Sequence, residues 1–390
     1  MADSAPPPSL SPSPLATTTA TKSQTSNNSW IGLLVLFLAP VAVSLLIYRL
    51  DEFDSAQIPD EGLSWKTMSV PKHYDHILNA TEKIGQGGFI RPEDLAYDAE
   101  TGFIYATSED GWIKRVRVTD SLSEAKVENF AHVGGRPLGL VLGQDGELIV
   151  AETVKGLMKV TKEGLVTILS DEAEGLKFKL TDGVDIARNG VIYFTDASYK
   201  YNFHQHMLDV LEGRPYGRLL SFDPSTNKTQ VLVRDLYFAN GVALSPKQDF
   251  VVYCETILRR CKKYYIEGDK KGSIDDFVDN LRGFPDNIRY DGLGIYWIGL
   301  PSAKTLSWDL VLRYPWLRKT MVILAKYVTL PNLQKDGGVL AVDLDGKPIA
   351  LYTDPELFGI TGGIRIADHL YYGSLVASYV SRVSLMHLPM

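Results

Sequence analysis

Glu93, Asp182, Asn240 and Asp286 carry oxygen donors at one shared position of a pattern that recurs along the chain, and Asn287 follows directly in GFPDNIRYDG. Three carboxylates crowded together repel one another and rise in pKa unless a cation sits among them. Oxygen donors without His or Cys select a hard ion, Ca²⁺ ahead of Mg²⁺ or Mn²⁺. Taken singly, Asp, Asn and Gly also open strands as plain turn residues. The common register is what points to a metal.

Six segments must position these groups: PEDLAYDAETGFIYATS from Pro92, PLGLVLGQDGELIVAET from Pro137, TDGVDIARNGVIYFTDAS from Thr181, ANGVALSPKQDFVVYCET from Ala239, PDNIRYDGLGIYWIGLP from Pro285 and TGGIRIADHLYYGSL from Thr361. Each reads as an alternating strand, a turn rich in Gly, Asp or Asn, and a second strand rich in Ile, Val, Tyr and Phe, which is a β-hairpin. Further strand-like runs, such as RLLSFDPSTNKTQVLV and GGVLAVDLDGKPIALYT, extend the hairpins to four-stranded units. Their spacing, roughly 45 residues with two longer intervals, predicts an all-β six-bladed propeller over residues 70–390.

Side chains alternate along a strand, so aligned positions of the first strands share one direction relative to the propeller axis. The second aligned position holds Glu93, Leu138, Asp182, Asn240, Asp286 and Gly362; the next holds Asp94, Gly139, Gly183, Gly241, Asn287 and Gly363. Glycines there let backbones approach closely. The long intervals contain insertions at 199–217 and 302–332, helix-like and rich in aromatics, which should cover one mouth of the propeller or touch a membrane. His204 and His206 within the first read as solvated cover-loop residues.

Through GRPLGL from Gly135, IYFTDAS from Ile192, NGVALSP from Asn240 and GFPDNIR from Gly283, the chain resembles the strictosidine synthase-like family. These are six-bladed propellers related to paraoxonases, gluconolactonases and diisopropylfluorophosphatases, and the likeness is to the membrane-anchored adipocyte plasma membrane-associated protein type. The resemblance implies a catalytic Ca²⁺ held by Glu93, Asn240, Asp286 and Asn287, with Asp182 standing where Asn is usual. It also implies hydrolysis of small aryl esters or lactones, the ion polarising the carbonyl and Asp286 or Asp94 acting as base. Strictosidine synthase condenses tryptamine with secologanin using a final-blade glutamate; Gly362 aligns there, so that condensation should be absent. Leu138 stands where paraoxonases carry a catalytic histidine, which leaves open a non-catalytic, Ca²⁺-stabilised binding or scaffold propeller.

The 390-residue chain has a net charge of −7, which gives no electrostatic case for nucleic acid. No G-x-S-x-G elbow or P-loop occurs, and GQGG at Gly85–Gly88 reads as a loop. Residues 1–29 are rich in Pro, Ser, Thr and Ala and should be disordered. The uncharged run from Trp30 to Tyr48 approaches the ~20 residues a membrane-spanning helix needs, so 30–50 is expected to be an uncleaved signal anchor and 51–69 a linker. Lys22 and Arg49 leave the topology open by charge. Sequons at Asn27, Asn79 and Asn227 favour a glycosylated, lumenal propeller in the endoplasmic reticulum, vacuole or plasma membrane. Cys254 and Cys261 lie on two strands joined by a short turn, where a disulfide and two free thiols both fit.

Overall fold

β-Branched and aromatic residues dominate the predicted runs, and strands form there because such side chains pack on a pleated, half-buried surface. The computed structural model describes residues 29–118 and 125–386, without the side chains of residues 29–33, 79 and 80. The chain divides into two units, Met1–Asp51 and Glu52–Met390.

The second unit is a six-bladed β-propeller. Its innermost strands are β1 (Leu95–Asp98), β2 (Pro137–Leu142), β3 (Thr181–Ile186), β4 (Ala239–Leu244), β5 (Ile288–Tyr290) and β6 (Ile364–Ile366). Each begins an antiparallel sheet of at least four strands. Successive innermost strands touch from β1 to β5 and β6 touches β1, while the Asn287 amide donates to Thr361 O at 2.8 Å between the fifth and sixth blades. Strand Glu82–Ile84 pairs with Val380–Ser384 and completes the last blade, so the start of the propeller closes its own ring. Lys72–Tyr74 adds a parallel edge strand to the fifth blade.

The ladder of β2 slips between Pro137 and Leu140, that of β3 between Thr181 and Val184, and that of β4 between Ala239 and Val242. Such a bulge re-aims the residues it frees. The bulges thus set Leu138, Asp182 and Asn240 at the axis, whereas Glu93 and Asp286 lie just before their strands begin. Glycine at the next position is obligatory in places: a Cβ on Gly241 would lie 2.5 Å from Asp286 O, and one on Gly139 2.2 Å from Asp182 O.

The insertions carry helices α2 (His206–Glu212), α3 (Leu306–Arg313) and α4 (Pro315–Ala325). Thr305 starts α3 by accepting the Trp308 amide at 3.3 Å, and Pro315 opens α4 where its missing N–H is harmless. Residues 52–69 are not a free linker. Ile58 and Leu63 are buried in the apolar cluster shared with these helices, Ala56 N donates to Glu212 O at 2.8 Å, and Met68 N donates to Asn280 O at 2.8 Å. Two large aliphatics have more to gain from that cluster than from water.

In the first unit, α1′s place in the chain is Ser29–Leu50, with Pro40 inside it. Among the described residues no helix is long and apolar enough to cross a membrane. The expected tail up to residue 28, with Asn27, lies outside the described residues, as does the side chain of Asn79. Asn227 is exposed at a turn. Cys254 and Cys261 are disulfide-bonded across adjacent strands of the fourth blade.

Candidate metal centre

Carboxylate oxygens of Glu93, Asp182 and Asp286 lie within 4.8 Å of one another, and all three residues are buried. Burial first, then the neighbouring carboxylates, pushes Glu93 and Asp182 well above the usual carboxylate range. Asp286 is pushed up to about 8, mainly by burial and then by Asp94, against a hydrogen bond from Asn240. Among the described residues, Glu93 Oε2 and Asn240 Oδ1 are buried without any hydrogen-bond partner. Buried oxygens are normally satisfied. Orphaned acceptors beside crowded carboxylates fit a hard divalent cation, and four blades together supply four protein oxygens of the ~6–8 that Ca²⁺ takes.

Neighbouring groups hold this set in place. Asn287, expected among the ligands, donates Nδ2 to Glu93 Oε1 at 2.6 Å and so orients that carboxylate. Asp94, expected as a base, does not border the cavity. Its Oδ1 accepts from Leu95 N and its Oδ2 from Leu140 N, both at 2.8 Å, and Oδ2 also meets Arg289 Nη2. Arg289 further donates to Leu140 O and to Val184 O, tying β1, β2, β3 and β5 together below the acids. Arg136 is a buried cation whose charge lowers the pKa of Glu93 and Asp182. Sequence reasoning missed both arginines, although Arg289 sits inside the GFPDNIR motif, a charge in the middle of an innermost strand.

Above the acids lies a cavity of about 120 Å³, bordered by Glu93, Asp182, Asn240 and Asp286 at one end. Leu138, Leu180, Phe238, Ile257 and Phe284 form its walls; Phe203, His206, Met207 and Val210 from the first insertion and Trp308 from α3 roof it. Both insertions therefore cover the mouth where the oxygen donors converge. His206, read as solvated, is instead a half-buried residue of that roof. A Cβ on Gly362 would meet Asn287 Cβ at 3.1 Å, and no carboxylate stands at that position.

A closed six-bladed ring with axial acids under an apolar roof defines a class of propeller, and comparison with known proteins narrows it. A strictosidine synthase family model matches residues 182–269, and a strictosidine synthase-like N-terminal model matches 77–116. Protein STRICTOSIDINE SYNTHASE-LIKE 6 of Arabidopsis thaliana is 50% identical over 90% of this chain and 95% of its own. The adipocyte plasma membrane-associated protein of Homo sapiens is 32% identical over 80% of each chain. The chain belongs to the strictosidine synthase-like family. Among solved structures, a gluconolactonase of Xanthomonas campestris covers 85% of this chain and 98% of its own with TM-score 0.57 at 14% identity. The calcium-binding protein regucalcin of Agrobacterium tumefaciens covers 80% and 95% with TM-score 0.55 at 12% identity. These likenesses carry the fold.

Proposed function

We propose that the chain is a Ca²⁺-dependent hydrolase of small aryl esters or lactones, anchored in an endomembrane with its propeller in the lumen. The observation that carries this reading is the cluster of three buried carboxylates and two orphaned oxygens at the end of an otherwise apolar cavity. Bound there, Ca²⁺ would act as a Lewis acid on a carbonyl oxygen. Glu93, Asp182, Asn240 and Asp286 would hold it. Phe238, Phe284 and Trp308 would take the aryl or acyl part and exclude water around it. Of the two carboxylates considered as base, only Asp286 borders the cavity; Asp94 is committed to Arg289 and two backbone amides. The solved structures named for gluconolactonase and calcium binding share this fold, a scaffold on which such chemistry can sit. The uncharged run 30–48 and the exposed Leu36, Phe37 and Leu50 support the anchor.

The test is hydrolysis of phenyl acetate and of γ- and δ-lactones by the full chain with Ca²⁺ and after chelation. Turnover that disappears with chelator and returns with Ca²⁺ is expected; equal turnover in chelator would rule the reading out. A second reading, a Ca²⁺-stapled binding propeller, is favoured by Leu138 and Gly362, which leave two aligned positions without a proton-transfer group. Strong thermal stabilisation by Ca²⁺ without turnover on any substrate would select it.

A further inference from the structure

His206 opens α2 and borders the cavity. Its Nδ1 lies 2.7 Å from Phe203 O. A carbonyl only accepts, so the proton sits on Nδ1 and Nε2 keeps its lone pair. Nε2 makes no hydrogen bond among the described residues. The ring stacks on Phe203, centroids 5.6 Å apart at 26°, which fixes its plane. Every other titratable group on the cavity wall, Glu93, Asp182 and Asp286, belongs to the acid cluster. A carboxylate that holds a divalent cation is weakened as a base. Among the described residues on the cavity wall, His206 is the titratable group outside the acid cluster, and it is the one left for proton transfer once Asp286 holds the ion.

We propose that His206 is the proton-transfer residue of this cavity. As a water oxygen bonds to the ester or lactone carbonyl carbon, Nε2 takes the proton that water releases. As the acyl C–O single bond breaks, its electron pair stays on the departing oxygen, and His206 returns the proton there. Water is the only co-reactant, and the products are the acid and the alcohol or phenol from an ester, or a single hydroxy acid from a lactone. This role rests on the hydrolase reading above. Of the charged and titratable groups on the elements packed here, His204 on the preceding turn is the one whose charge reaches the imidazole; Asp209 and Glu212 lie on α2 itself, Arg136 stands with its guanidinium 5.4 Å from the Phe203 ring centre, Arg318 of α4 donates to Leu211 O of α2, and the three acids border the same cavity. Burial, opposed by the bond to Phe203 O and seconded by His204, holds the imidazole below its usual pKa, and so neutral at pH 7.

The experiment uses the full chain with Ca²⁺, phenyl acetate as substrate and phenyl methylphosphonate as a tetrahedral mimic. His206→Gln should lower kcat by about 10²–10⁴-fold with KM little changed, and should erase the acidic limb of the pH–kcat profile. Wild-type kcat in His206→Gln would overturn the role. Imidazole ¹⁵N shifts of the wild-type chain, a readout that stands even if the variant misfolds, should show the Nδ1–H tautomer and an Nε2 resonance that moves when the mimic is added. An Nε2–H tautomer, or an Nε2 indifferent to the mimic, would equally overturn it. A wild type with no Ca²⁺-dependent turnover removes the hydrolase reading and the proton-transfer step with it; a responding Nε2 would then retain His206 only as the ligand-facing group of the cavity.

Discussion

Glu93, Asp182 and Asp286 occupy a place where ionised carboxylates are unfavourable without a partner cation. Glu93→Gln keeps the shape but removes one charge, so Ca²⁺ affinity measured by calorimetry should fall at least about 10-fold, the lower end for losing even an outer partner of a metal site. Unchanged affinity would place the ion elsewhere. The raised pKa values also set a pH dependence. An unfolded chain releases these protons near pH 4, whereas the folded, metal-free chain keeps that of Asp286 until about pH 8. Between those values rising pH favours the unfolded chain, because it binds fewer protons there. Metal-free protein should therefore melt at lower temperature at pH 8 than at pH 5, and saturating Ca²⁺ should remove most of the difference. A melting temperature that rises over that interval without Ca²⁺ would contradict the cluster′s electrostatics. At this scale the donors Glu93, Asp182, Asn240 and Asp286 were legible from register alone. Asn287 was expected as a ligand, and that its amide donates to the Glu93 carboxylate was not legible.

The innermost strands act together through Arg289 and Asp94. Replacing Arg289 by Met leaves Asp94 buried without its cation, and breaking one side of a buried pair costs about 3–5 kcal/mol. Urea denaturation of Arg289→Met should show a loss of that order, and Asp94→Asn in the same chain should recover part of it. A single variant as stable as the wild type would mean that the tie across β1, β2, β3 and β5 carries no strain on removal. The hairpins could be found in sequence because strand and turn chemistry is local. The bulges in β2, β3 and β4 could not, because a register slip depends on the partner strand. The insertions were legible as helical and covering, but the side chains they contribute to the cavity depend on how they fold back.

For the whole molecule, ring closure by Glu82–Ile84 joins distant parts of the chain, as in the Glu82–Arg382 pair, 300 positions apart. The proposed lumenal, anchored topology is tested in a eukaryotic secretory host. The chain should resist alkaline carbonate extraction, and endoglycosidase should shift its mobility until Asn79→Gln and Asn227→Gln are both made. Release by carbonate, or no shift in the parent chain, would refute the anchor or the lumenal side respectively.

The sequence by itself determined six hairpin units, the register that aligns their oxygen donors, and the presence of two covering insertions. These follow from side-chain alternation and turn propensity, which act over a few residues. Only the tertiary structure decided that Asp94 is consumed by Arg289, that residues 52–69 belong to the covered end of the propeller, and that His206 turns inward to border the cavity. Each of these outcomes depends on which distant groups compete for the same buried space, and a one-dimensional pattern does not encode that competition.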